Sequence, residues 1–139
     1  ELDVERTIVD EFLQEVMKSN PKATFGEIMI RSALEQGAVA TLLLSESITK
    51  RRVRWVCKGC KNEWETTHDQ SSARPICPEC KHEQVTEDSD NSMELIDELT
   101  ILAGHTSAKV RLISLDTEEG ATLSDAFGGI AALLRYPIS

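Results

Sequence analysis

At 139 residues, with 40% hydrophobic and 28% charged side chains, the chain suits one ordinary globular domain, or a domain carrying a small inserted module, and not a disordered segment. No apolar run approaches the roughly 20 residues that cross a bilayer, and no charged-then-apolar leader opens the chain. The net charge of -9 argues against a general nucleic-acid coat, and aromatics at 4% leave the core to Leu, Ile, Val and Ala.

Val9, Phe12, Leu13, Val16 and Met17 recur at helical spacing and predict an amphipathic first helix, which Asn20-Pro21 ends. Thr24-Phe25-Gly26-Glu27 reads as a capping box opening a second helix that runs to about Gln36, with Gly37 as its stop. Ala38–Leu44 is a short continuous apolar run, as expected of a strand covered on both faces. A third helix is expected from about Ser92, with Leu95, Ile96, Leu99, Leu102 and Ala103 as its stripe and Gly104 as its end. Val110–Leu115 predicts a second strand. Asp116 or Thr117 caps a fourth helix through about Phe127, and Gly128-Gly129 turns the chain into a last strand, Ile130–Tyr136. The order helix, helix, strand, helix, strand, helix, strand implies an α/β sandwich.

Residues 50–88 fit none of this. Lys50, Arg51, Arg52, Arg54, Lys58 and Lys61 place six of the 15 basic residues within a dozen positions, whereas 83–98 hold seven acids and no Lys or Arg. The acidic run is read as a solvated return segment. This stretch also holds all four cysteines. Cys57-Lys-Gly-Cys60 and Cys77-Pro-Glu-Cys80 form C-x2-C-x16-C-x2-C, the spacing of a four-cysteine zinc site. Two tight turns can bring four thiolates to about 2.3 Å from one structural Zn2+, leaving no open position for water. Two disulfides, or a redox-active pair, are the competing readings, and neither secretion nor a thioredoxin-like context supports them. The expected module is a zinc ribbon with Trp55, Trp64, Ile76 and Val85 as its small core. His68 and His82 flank the cysteines but break the ligand spacing, and these two and His105 read as surface or loop residues. The basic cluster fits two roles equally: a solvated surface that offsets a zinc tetrathiolate, or a contact with RNA phosphate. No phosphate loop, nucleophile elbow or triad context is present, so no catalytic constellation exists in this chain.

Two stretches, FGEIMIRSALEQGAVATLLLSE (Phe25–Glu46) and DTEEGATLSDAFGGIAALLRY (Asp116–Tyr136), closely resemble the C-terminal domain of the class I peptide chain release factor of archaea and eukaryotes. The four-cysteine insert looks like the archaeal form. The resemblance implies a three-layer α-β-α sandwich with a mixed sheet, similar to the ribosomal-protein fold that binds kink-turn RNA. One strand of that fold is either absent or weakly encoded before Thr24. The sandwich would occupy 1–49 and 89–139, with the zinc-ribbon minidomain at 50–88. Gly26-Glu27 stands where the RNA-binding relatives carry Asn-Glu.

The resemblance also implies a cytoplasmic role in translation termination. The family's catalytic Gly-Gly-Gln and its stop-codon motifs are absent, so this chain, which opens on Glu1, is expected to be the non-enzymatic, partner-binding piece of a longer protein. The implied partners are an elongation-factor-like translational GTPase, the ribosome and the ribosome-recycling ATPase. The family's terminal motif carries the GTPase contact onto Leu133, Leu134, Arg135 and Tyr136, although Ala132 and Leu133 stand where the motif has Gly and Ile. The alternative function is an RNA-binding ribbon that contacts ribosomal RNA.

Overall fold

The computed structural model describes residues 2–138. It divides into two compact units: one from the residues up to Ile48 together with those from Leu99 onward, the other Thr49–Glu98.

The first unit is built on a mixed four-stranded sheet. In chain order it contains α1 (Leu2–Val16), β1 (Ala23–Phe25), α2 (Glu27–Glu35) and β2 (Val39–Ser45). After the second unit come the end of α3 (Leu95–Gly104), β7 (Lys109–Ile113), α4 (Glu118–Phe127) and β8 (Ile130–Leu134). The strand order is β1-β8-β2-β7; β8 runs antiparallel to both neighbours, and β2 is parallel to β7. Every residue of β8 is buried, so both faces of the sheet centre are covered. On one face Val9 and Phe12 of α1 and Leu123 of α4 pack with Leu43, Ile113, Ala131 and Leu133. The Phe127 ring meets Phe12 edge-on at 5.2 Å and Phe25 at 5.0 Å. Strand alternation turns Leu42, Leu44, Ala132 and Leu134 to the other face, where α2 packs against β8 and β1 through Ile30, Ala33 and Leu34. This is the three-layer α-β-α sandwich with a mixed sheet that the sequence implied.

Several local expectations are corrected. Thr24 does not cap α2; it lies in β1 opposite Ala132. The N-cap is Gly26, at φ 89° and ψ 144°, a conformation that a side chain would strain, and no side chain caps the helix. Glu27 instead accepts from Arg31 Nε at 2.9 Å, one turn along the helix. Chain leaving Pro21 therefore stays extended and joins the sheet edge, which supplies the weakly encoded strand. Met17 is 82% exposed because α1 ends at Val16. Ser92 does not start α3: its hydroxyl donates to Asp88 O and accepts from Arg54 N, and the helix begins at Leu95. Strand β7 stops at Ile113, leaving Leu115 exposed beyond its end. The last strand ends at Leu134 rather than Tyr136. Thr117 caps α4 as expected, its hydroxyl accepting from Gly120 N at 2.9 Å, and Gly128 at φ 72° closes it.

The second unit contains β3 (Arg51–Cys57), β4 (Glu63–His68), β5 (Val85–Glu87), a 3-10 turn (Ser89–Asn91) and β6 (Met93–Glu94). Strand β3 is central, pairing antiparallel with β4, β5 and β6. The pairing of β6 with Arg51 and Arg52 carries this unit past residue 88. Its core is Val53, Trp55, Cys57, Cys77 and Val85, with Trp64 packed against it. Ile76 is not in that core; it is 52% exposed, because the chain turns there to bury the adjacent Cys77.

Candidate metal centre and terminal segment

Each cysteine pair sits on the same turn. Lys61 N donates to Cys57 O and Lys81 N to Cys77 O, both at 2.9 Å. Cys57 N then donates to Asn62 O at 2.9 Å and Cys77 N to His82 O at 3.0 Å. The residue after each second cysteine is left-handed, Lys61 at φ 67° and Lys81 at φ 63°. Two short segments with unrelated fillers thus adopt one geometry, which aims backbone amides at the sulfurs.

The four sulfurs lie within 4.8 Å of one another, with Cys57–Cys80 and Cys60–Cys77 both at 3.6 Å. A tetrahedron with bonds of about 2.3 Å has edges of about 3.8 Å. A disulfide would need about 2.05 Å, and all four cysteines are free. The donor set therefore fits one tetrahedral metal ion, with Cys57 and Cys77 buried and Cys60 and Cys80 exposed. Asn62 Nδ2, from the first turn, reaches Cys77 Sγ of the second at 3.9 Å. Nothing in the cysteine spacing singles out Asn62; only the fold brings it there. No histidine joins the group among the described residues.

Charge within the cluster is unevenly held. The Cys60 amide is the main cause lowering the Cys57 thiol, with burial opposing it and the Gly59 amide assisting. Burial is the largest influence on Cys77 and would raise it, but the amides of Cys80 and Glu79 and the neighbouring thiols together bring it down to about 6. For Cys80 the His82 amide lowers the thiol, yet burial and the Cys57, Cys60 and Cys77 sulfurs outweigh it and push it up to about 12. For Cys60 the Asn62 amide, assisted by the Cys80 sulfur, lowers the thiol, but burial and the Cys77 and Cys57 sulfurs outweigh them and push it up. Four thiolates at this separation repel one another, and a dication offsets that repulsion.

Strand register sorts the basic cluster by face. Arg52 and Arg54 stand opposite Thr67 and Glu65 on β4. Arg54 bonds Glu63 at 3.0 Å and Glu65 at 3.1 Å, and Arg52 lies 3.6 Å from Glu65. These acids hold the Arg54 guanidinium above its usual range. Arg51, on the other face, reaches Glu94 at 3.0 Å. Lys50, Lys58 and Lys61 form no ion pair among the described residues. The six cations are not one patch, since half of them are matched by acids of neighbouring strands.

At the chain's end, Leu133 and Leu134 are 7% and 6% exposed and belong to the sheet core. Only Arg135 and Tyr136 of the four are exposed. Arg135 is also a clasp: its guanidinium donates to Gly37 O at 3.1 Å and Thr106 O at 2.7 Å, the carbonyls that follow α2 and α3. Tyr136 Oη donates to Gln36 O at 3.2 Å. A cation at two helix C-termini is favourable, so Arg135→Ala should cost about 1 kcal/mol, and Arg135→Glu more because it opposes both helix ends. Chemical denaturation followed by far-UV circular dichroism measures both; equal stability of Arg135→Glu and the parent would refute the clasp.

Among curated proteins, peptide chain release factor subunit 1 of Methanobrevibacter smithii is 40% identical over 141 residues, covering 99% of this chain and 34% of that protein. The chain thus spans about a third of the length of that relative. Among solved structures, the C-terminal domain of peptide chain release factor from Methanosarcina mazei matches with a TM-score of 0.83 at 35% identity, covering 98% of this chain and 84% of that one. A model of ribosome-bound archaeal Pelota and ABCE1 shares the fold, with a TM-score of 0.57 at 22% identity over 99% of this chain and 28% of the other. The family model described as eRF1 domain 3 matches residues 3–138, and the chain belongs to that family.

Proposed function

We propose that this chain is the partner-docking domain of a class I release factor acting in translation termination in the cytoplasm, with one structural zinc ion held by Cys57, Cys60, Cys77 and Cys80. Its docking partner is an elongation-factor-like translational GTPase, followed on the ribosome by the recycling ATPase. The observation that carries the docking role is the terminal segment. Arg135 and Tyr136 are exposed yet held by hydrogen bonds to Gly37, Thr106 and Gln36, so little side-chain freedom is lost when a partner binds. Leu133 and Leu134 act through that segment by anchoring β8, not by touching the partner. A ribosomal setting is supported by the release-factor relatives and by the Pelota of the same fold, which is described as ribosome-bound with ABCE1. Among the described residues no helix is long and apolar enough to cross a membrane. Zinc suits a closed set of four thiolates, and its role there is to hold the two turns together.

The test is a calorimetric titration of the chain with an archaeal elongation-factor-like GTPase. Saturable binding that survives moderate salt is expected, and Tyr136→Ala should weaken it about tenfold while the chain stays folded by far-UV circular dichroism. Absence of GTPase binding would defeat the docking role. The alternative, ribosomal RNA bound by Lys50, Arg51, Arg52, Arg54, Lys58 and Lys61 as one patch, is disfavoured because Arg52 and Arg54 are already matched by Glu63 and Glu65.

A further inference from the structure

The inner face of the ribbon sheet carries a cavity of about 430 Å3 that the metal centre does not use. Val53 and Trp55 line it, and around them stand Arg51, His68, Gln70, Ser72, Arg74 and Glu87. Register explains the gathering. Arg51, Val53 and Trp55 alternate onto one face of β3, Arg51 lies opposite His68, and Trp55 lies opposite Glu87. The loop after His68 adds Gln70, Ser72 and Arg74.

The wall is rich in unspent donors. Arg74 makes no ion pair among the described residues, and its one side-chain bond is from Nη1 to Val85 O at 3.3 Å. The side chains of Gln70 and Ser72 make no hydrogen bond among the described residues, and the His68 ring only meets Trp55 edge-on at 5.1 Å. Arg51 spends Nη1 on Glu94 at 3.0 Å, whereas its Nη2 lies 3.7 Å from Glu87, too far for a good hydrogen bond, so only that part of its fork keeps free N–H groups. The nearby Asp69 carboxylate accepts from Ser71 N and Ser71 Oγ at 3.1 Å each. Glu87 is the one carboxylate among the lining residues, beside the guanidinium groups of Arg51 and Arg74, and Glu94 holds Arg51 from outside the lining.

We propose that this cavity binds a phosphate-bearing nucleotide unit of a single-stranded RNA segment. The planar guanidinium of Arg74 suits phosphate oxygens, and the free Nη2 of Arg51 adds a second cationic donor. The volume exceeds that of a bare anion and falls in the range of small-ligand pockets, roughly 300–1,000 Å3. Gln70 and Ser72 offer polar contacts for ribose or base, and Glu87 is placed as an acceptor for a 2′-hydroxyl. The site differs from the basic cluster read from the sequence: it omits Arg52 and Arg54 on the opposite face, and it includes Arg74, which lies outside that cluster. Its residues all belong to the second unit and none to the terminal segment, so its test does not depend on GTPase docking.

Both tryptophans of the chain, Trp55 and Trp64, lie in this sheet, so intrinsic fluorescence reads the site directly. The full chain, loaded with metal, is titrated with a hexauridylate RNA, the equivalent DNA and inorganic phosphate. Saturable change with RNA is expected, at lower concentration than with DNA or phosphate. Arg74→Gln should weaken RNA binding tenfold or more and reduce the salt slope by about one. Arg54→Gln, which removes the same charge from the opposite face, should stay within twofold of the parent. His68→Gln is the second pocket variant, should Arg74→Gln lose its metal or its fold, and is expected to weaken binding threefold or more. The proposal is overturned by the absence of saturation with RNA, by equal losses in Arg54→Gln and the pocket variants, or by phosphate or DNA binding as tightly as RNA.

Discussion

Stripping the metal with a strong chelator should unfold residues 53–86 completely while the α/β unit keeps its structure. The ribbon buries Val53, Trp55, Cys57, Cys77 and Val85 and little else, and two of these five are the proposed ligands themselves. Such a core cannot offset the chain entropy of the module. Structural zinc supplies about 10–16 kcal/mol in comparable small modules. Because Trp55 is 2% exposed, its emission should shift to the red on chelation, and amide exchange should rise across Arg51–Glu87 but not across β2 and β8. Cys77→Ser should mimic chelation. Unchanged emission after chelation would refute the metal's structural role, and a sulfur–sulfur crosslink found by mass spectrometry would replace it with a disulfide.

The pH dependence of metal binding has a definite sign. Binding requires thiolates, so protons compete with the metal and affinity falls as pH falls. Cys80, near 12, carries a proton that the metal must expel throughout the neutral range. Cys77, near 6, is already ionised at neutral pH and adds a further proton only below about pH 6. Loss of metal should therefore steepen below about pH 6, as a competition titration with a chromophoric chelator would measure. A slope unchanged through pH 6 would contradict the low Cys77 value.

Gly120→Ala should destabilise the α/β unit by about 3 kcal/mol or more, the upper range for overpacking. Helix propensity alone predicts the opposite sign, since Ala is favoured over Gly by about 1 kcal/mol inside a helix. The reason is space, not backbone freedom. A Cβ at Gly120 would lie 1.9 Å from Ser114 O, a backbone atom, and 3.1 Å from the Thr117 hydroxyl that caps α4. Relief requires α4 to move off the sheet or the cap to break, and Leu123 of that helix is fully buried. Gly104→Ala is the control: nothing lies within 4 Å of its added Cβ, so it should be neutral or slightly stabilising. Urea denaturation of the two variants separates the explanations. Equal stability of Gly120→Ala and the parent would mean that Ser114 yields at no cost.

Much of the fold was readable because its signals are local. The α1 periodicity, the Thr117 cap, the Gly128 stop and the apolar run of β2 each depend on residues within a few positions of one another. Gly120 lies within the Asp116–Tyr136 stretch that carries the family resemblance, but the physical cause of a glycine there, the Ser114 carbonyl, belongs to another segment. Strand β1 was invisible because three residues carry almost no pattern. Thr24 has capping chemistry, and only pairing with β8 settles that it is a strand residue. Ile76 was misplaced for a similar reason: its hydrophobicity is plain, but which side of the turn is buried depends on where Cys77 must point.

The metal centre and the charge cluster divide in the same way. Four cysteines at C-x2-C-x16-C-x2-C announce a site by themselves, because each pair closes its own short turn and only one join between the turns is needed. The six cations announce nothing comparable. Whether Arg52 and Arg54 are neutralised by Glu63 and Glu65, or Arg51 by Glu94, depends on strand register, and a shift of one residue exchanges the faces. Arg135 likewise looks like a free contact residue in the sequence, and becomes a clasp only where β8 ends beside the C-termini of two helices. The helices, the buried strand β2 and the four-cysteine spacing were legible in the sequence alone, since they rest on periodicity and short-range spacing, while the family was legible only through the resemblance of two stretches to a known family. Which charges are matched, which apolar residues are core and where a nucleotide-sized cavity opens were decided by the tertiary structure, because each depends on segments far apart in the chain meeting in one register.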